Sequence, residues 1–244
     1  MQRYFIELSY NGRDFHGWQI QPNAVTIQEV IEECLSKLHS NETKKVVGCG
    51  RTDTGVHAKH YALHVDLETL TSSEKFVFTL NRMLPESISI HSIYPVADDL
   101  HARFSATART YRYYIHQKKD SFLHEQSWFL PTLLDFERMN KAAEKLLGKQ
   151  DFTSLSKLHT DVKTNICTVT SAKWVNLDPN RAYFEITADR FLRNMVRATV
   201  GTLLNVGMGK TTPQSIRTIL DAQDRQAASV SVPAHGLFLW KITY

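Results

Sequence analysis

Segments of strand period and helix period alternate twice along this chain, and that repetition limits the fold more than any single motif does. Residues 4–10 put Tyr4, Ile6, Leu8 and Tyr10 on one strand face, and Asn11-Gly12 marks the turn that ends it. Ile27, Val30, Ile31, Cys34, Leu35 and Leu38 then recur at helical intervals. Thr26 and Glu29 have capping-box spacing, so a helix is predicted over 27–38. Strands at 46–49 and 61–67, a helix at 74–84 and a strand at 88–96 complete a β-α-β-β-α-β first half.

The second half repeats the theme. A tyrosine-rich strand at 105–117 precedes a helix at 135–148, strands at 166–175 and 182–188, and a long helix from 190 to 206. Thr212-Pro213 reads as a cap and first turn of a short helix reaching Leu220, and 236–244 alternates as a closing strand. The expected class is α+β: two similar α/β halves, 1–104 and 105–244, sharing a mostly antiparallel sheet with helices on one face.

With 244 residues, 42% of them hydrophobic, the chain can bury a sizeable core. Charge is uneven: ten basic against thirteen acidic residues over 1–104 give −3, and nineteen against twelve over 105–244 give +7. The second half is the expected polyanion-facing surface. Cys34, Cys49 and Cys167 are odd in number, far apart and lack a CxxC pair, which argues against a disulfide framework or zinc knuckle and for a reducing, cytoplasmic setting. No signal-peptide layout opens the chain, and no apolar run is long enough to span a membrane.

Gly48-Cys49-Gly50-Arg51-Thr52-Asp53-Thr54-Gly55-Val56-His57-Ala58 is polar and glycine-punctuated between two apolar strands. Asp53 is expected on a shaped loop, with Arg51 two residues away to keep it ionised. By spacing alone an ordinary Asp-Thr-Gly turn is the commoner explanation. Aspartic proteases also use this tripeptide, but they pair two such carboxylates; one copy stands here, and a cationic neighbour opposes a shared proton. His57, His60 and His64 lack a cysteine pair or carboxylate at ligand spacing, so no metal is expected. Cys49 has no sequence-adjacent base, and no phosphate or dinucleotide loop follows a strand, so no nucleotide cofactor is expected. Phe15 and Trp18 suit either base stacking or a loop anchor.

Gly50 to Ala58 resembles the catalytic motif of TruA-type pseudouridine synthases. Tyr10 to Pro22 resembles that family's N-terminal signature, with Asn11 where aspartate is usual. Arg103-Phe104-Ser105-Ala106, Arg109 to Tyr113, Phe191 to Arg197 with Val200-Gly201, and Ala234 to Leu239 match in the same order. The resemblance implies isomerisation of uridine to pseudouridine at positions 38, 39 and 40 of the tRNA anticodon stem-loop, without cofactor or metal, by a cytoplasmic homodimer. It makes Asp53 the catalytic carboxylate, Arg197 its partner with support from Arg51, and Tyr111 the ring that stacks on the target base. From pattern alone, Tyr111 reads as a half-buried sheet aromatic. Arg197, with Arg190 and Asn194, reads as the solvated side of an apolar helix.

Overall fold

The computed structural model describes residues 1–157 and 163–244. The chain divides into two compact units, one of residues 1–107 with 238–244 and one of residues 108–237.

The first unit begins with β1 (Gln2–Tyr10), α1 (Ile27–Leu38), β2 (Val47–Gly48), β3 (His57–Leu67), α2 (Ser73–Met83) and β4 (Ile88–Pro95). β1 pairs antiparallel with both β3 and β4, and β2 pairs antiparallel with β3. Tyr4, Ile6, Leu8 and Tyr10 are all buried, as their alternation predicts. On the other face, Arg3 grips Asp66 through two nitrogens, at 2.8 and 2.9 Å, and Tyr94 and Ser92 donate to Glu7. The capping box forms: Thr26 accepts from the Glu29 N–H, and Glu29 accepts from the Thr26 N–H. α1 then buries Ile27, Ile31, Cys34 and Leu35, each apolar side chain contributing roughly 1.5–3 kcal/mol.

The second unit contains β5 (Ala108–His116), β6 (Trp128–Phe129), α3 (Phe136–Ala143), β7 (Gly148–Asp151), β8 (Ile166–Asp178), β9 (Arg181–Ala188), α4 (Met195–Gly207) and α5 (Ser215–Ala222). β5, β9, β8 and β7 pair antiparallel in that order, and β6 adds a short parallel pairing to β5. Phe136 of α3 packs on Trp174, which packs on Phe184, so the helix covers the apolar face that also carries Tyr113 and Ile115. The opposite face is polar: Arg112 bonds Glu185 at 2.7 Å and lies over the Tyr183 ring.

β10 (Leu237–Thr243) closes the chain, and from Phe238 onward it belongs to the first unit, parallel to β3 through Phe238↔His57 and Leu239↔Ala58. The units share a device. Asn81 of α2 holds both backbone groups of Ile90 in β4, and Asn140 of α3 holds both backbone groups of Trp174 in β8. A helix asparagine thus satisfies strand groups that the ladder leaves over. The mixed architecture is α+β with mostly antiparallel strands within each unit.

Several element limits differ from expectation. The helix expected over 190–206 begins at Met195, because Asp189 accepts the Arg190 N–H and Asn194 is left-handed (φ 67°). Arg190 and Asn194 therefore precede α4, which is buried nearly all round rather than solvated on one side. Thr212 does not cap α5; its carbonyl accepts from Ser215 in a turn before the helix. The helix over 135–148 tightens into a 3-10 turn at Glu144–Leu146 and gives way to β7. Strand β3 starts at His57, so the end of the glycine-rich motif is already sheet.

Candidate active site

In the first unit, the two motif segments that lie far apart in sequence are folded against each other. The loop before β3 carries Arg51, exposed, and Asp53, half-buried, on either side of a buried Thr52. Thr52 Oγ1 lies 2.8 Å from the Tyr10 hydroxyl, and its carbonyl accepts from the Trp18 N–H at 3.2 Å. Gly55 N–H donates to Phe15 O at 3.3 Å, and Val56 N–H donates to the Asp53 carbonyl at 3.1 Å. His57 Nδ1 accepts from the Gly12 N–H at 3.1 Å, and its ring stacks on Phe238.

The approach is so close that a Cβ on Gly12 would lie 2.0 Å from the Val56 carbonyl oxygen. Only glycine permits that contact. Below the loop, Trp18 stacks on Tyr61 at 4.1 Å, with Tyr10 5.5 Å from Tyr61. Phe15 and Trp18 are buried, so of their two expected roles the structure selects the loop anchor. Asn11, the departure from the family pattern, accepts the Arg13 N–H at 3.1 Å through its side chain, as an aspartate at that position also could. Asp53 is thereby carried on backbone that has little freedom to move.

In the second unit, Tyr111 sits near the start of β5, half-buried, with its ring edge-on to Phe191 at 4.9 Å. Two residues along the same face, Tyr113 is fully buried and donates to Pro233 O at 2.9 Å; burial pushes its phenol pKa up. Arg197, half-buried, is the third residue of α4. Its Nε donates to Val232 O at 2.7 Å, and Val232 N–H donates to Arg197 O at 3.3 Å. A Cβ on Gly201, one turn further, would lie 2.1 Å from Val230 O. A segment that no sequence period marked is thus seated against the helix face that carries Arg197.

The three histidines considered as metal ligands each use Nδ1 to accept a backbone N–H: His57 from Gly12, His60 from Ile242 and His64 from Ala102. Among the described residues no group of three or more His, Cys, Asp or Glu side chains could hold a metal ion. Cys34, Cys49 and Cys167 are buried and form no disulfide, and burial pushes Cys167 up to about 12. That leaves Cys167 protonated at neutral pH and a poor nucleophile. No helix among the described residues is long and apolar enough to cross a membrane. What the sequence did not point to was the clamp around Thr52 and the Val230–Val232 segment; the glycines at 12 and 201 were the available signal.

The first unit thus carries Asp53 on a clamped loop, and the second carries Tyr111 and an anchored Arg197. Comparison with known proteins gives the class directly: a family model described as tRNA pseudouridine synthase matches residues 8–105 and 142–244. The proteins named tRNA pseudouridine synthase A of Parabacteroides distasonis and Porphyromonas gingivalis are 52% and 49% identical over the whole of this chain, covering 96% and 98% of their own lengths. That of Exiguobacterium sibiricum is 36% identical, again over the whole chain and 97% of its own length. A solved Cbf5-Nop10-Gar1 complex covers 82% of this chain and 54% of its own at 13% identity and a TM-score of 0.35, too slight a likeness to define the fold. This chain belongs to the tRNA pseudouridine synthase family. Its activity is the isomerisation of uridine to pseudouridine.

Proposed function

We propose that the chain acts on uridines 38, 39 and 40 of the tRNA anticodon stem-loop, with Asp53 as catalytic carboxylate, Arg197 and Arg51 as its cationic support and Tyr111 as the stacking ring. The observation that carries this reading is the clamped loop, which fixes the backbone of Asp53 through Thr52, Gly55 and Val56. Catalysis by a positioned group gains most where the group needs no further ordering.

The reaction breaks the bond between N1 and ribose, turns the uracil while it is held, and rejoins it through C5. Electrons and atoms balance within the nucleotide, so no oxidant, reductant or energy source is required. A uridine stacked in a stem is out of reach, so it must be flipped outward, at a cost of a few kcal/mol recovered in stacking and phosphate contacts. Tyr111 supplies the aromatic face and the basic second half supplies the phosphate contacts. Asp53 serves as nucleophile on ribose or uracil, or as the base that takes a sugar proton.

Two chains act together as a homodimer in the cytoplasm, which doubles the basic surface offered to one tRNA. The buried cysteines, which form no disulfide, accord with a reducing compartment. Tritium release from unmodified tRNA labelled at uracil C5, with substrates in which positions 38, 39 and 40 are replaced singly by cytidine, tests the site assignment. Release that persists undiminished when all three are replaced refutes it.

A further inference from the structure

The Arg197 guanidinium donates through Nε to Val232 O. That carbonyl lies in residues 228–233, which are neither helix nor strand, so no ladder sets its position. Besides the main-chain bond from Val232 N–H to Arg197 O, side chains hold it. Ser231, next to Val232, accepts at Oγ from Asn194 Nδ2 at 2.6 Å and from Arg225 Nη2 at 3.2 Å. A hydroxyl oxygen has two lone pairs, so both bonds fit one atom. Arg225 Nη1 also donates to Ala228 O, and Ser229 N–H donates to Thr202 Oγ1 of α4.

Asn194 immediately precedes α4 and holds φ 67° and ψ 0°, the left-handed region. Most side chains pay a backbone penalty there, whereas asparagine and glycine visit it routinely. Its side chain makes no capping bond to the helix and reaches Ser231 instead. The residue at the start of α4 therefore ties the helix to the segment that aims Arg197.

We propose that Asn194 and Ser231 form a positioning latch for Arg197, holding the Val232 carbonyl where it fixes the guanidinium for the reaction. Neither is a catalytic residue; both act through Arg197. The inference rests on the reading that Arg197 serves catalysis, and the test separates the two. Steady-state tritium release and tRNA binding are measured on the full chain with Ser231→Ala, Ser231→Thr, Asn194→Gly, Arg197→Ala and Arg197→Lys.

Asn194→Gly keeps the left-handed backbone while deleting the amide. Ser231→Ala and Asn194→Gly are expected to lower kcat roughly 10- to 100-fold, as misplacement of a reacting partner does, with KM and melting temperature nearly unchanged. Ser231→Thr restores kcat, because its hydroxyl replaces the lost acceptor. In an Arg197→Lys background, which has no Nε to aim, Ser231→Ala adds no further loss. Full activity of Ser231→Ala beside an inactive Arg197→Ala overturns the latch and leaves the role of Arg197 standing; full activity of Arg197→Ala overturns that role itself. Losses that add in the lysine background, or that follow a fall in melting temperature, also overturn the latch.

Discussion

The loop that carries Asp53 is held where backbone meets backbone, whereas the turn of α4 that carries Arg197 is held where side chains meet an irregular segment. Around Asp53, Gly12, Phe15 and Trp18 approach the loop so closely that hydrogen bonds from main-chain groups do most of the holding. Around Arg197, one main-chain bond from Val232 N–H is joined by the guanidinium, Ser231 and Asn194. A clamp built mostly of main chain tolerates no added atom at Gly12 and needs few particular side chains, here Tyr10, Thr52 and His57. Side-chain latches tolerate small shifts but depend on each donor and acceptor. The carboxylate should accordingly be the more rigid of the two groups.

The largest effect is expected at the carboxylate. Asp53→Asn preserves shape and removes charge, and tritium release should fall at least about 1,000-fold, as when a reacting group is deleted, while tRNA binding and melting temperature stay close to wild type. Retained turnover would remove Asp53 from the chemistry and leave the clamp without a catalytic purpose.

Next come the two glycines, which set the two regions against each other. Gly12→Ala drives a Cβ against Val56 O; about 100-fold lost activity and about 2 kcal/mol lost stability, typical of overpacking, are expected in turnover assays and urea unfolding. Gly201→Ala makes nearly the same contact with Val230 O. Val230 is exposed in a segment outside any sheet, so that segment can yield. The expected loss is about tenfold in kcat, with stability nearly even, since alanine in a helix interior recovers up to about 1 kcal/mol over glycine. A Gly201→Ala variant more damaged than Gly12→Ala would invert the comparison.

The effect expected to touch catalysis least is one of pH on the stability of the first unit. His64 Nδ1 accepts the Ala102 N–H, which only the neutral ring can do. Burial first, then the nearby charge of Arg3 and of His101, lowers its pKa from 6.5 to about 4. The unfolded chain therefore takes up a proton before the folded one does. The stabilisation is complete above pH 6.5 and declines as pH falls from 6.5 towards 4, by up to about 3 kcal/mol. Urea midpoints measured across that window should fall with pH, and His64→Gln should flatten the slope. An unchanged slope would mean that the ring does not titrate differently on folding.

Much of this was legible beforehand for local reasons. The capping box at Thr26 and Glu29, the alternation of Tyr4 to Tyr10 and the turn residues around Asp53 act over a few residues, so their consequences appear in sequence order. The start of α4 was not legible, because apolar residues from Phe191 onward keep helical spacing while Asn194 turns the backbone left-handed and breaks it. β7 was missed because Gly148-Lys149-Gln150-Asp151 has no apolar alternation, and its pairing with β8 alone makes it a strand.

By itself, the sequence determined the α+β pattern, the polar loop with Asp53 and the ordered run of motifs, since these depend on periodicity and on contiguous residues. Only the tertiary structure decided that Tyr10 to Trp18 clamp that loop, that the last strand lies beside β3, and that Val232 aims Arg197. Those pairings join residues 34 to 182 positions apart, as in Trp18 with Thr52 and Ile242 with His60. No local propensity encodes such partners, because they are chosen when buried polar groups must find hydrogen bonds within the folded chain.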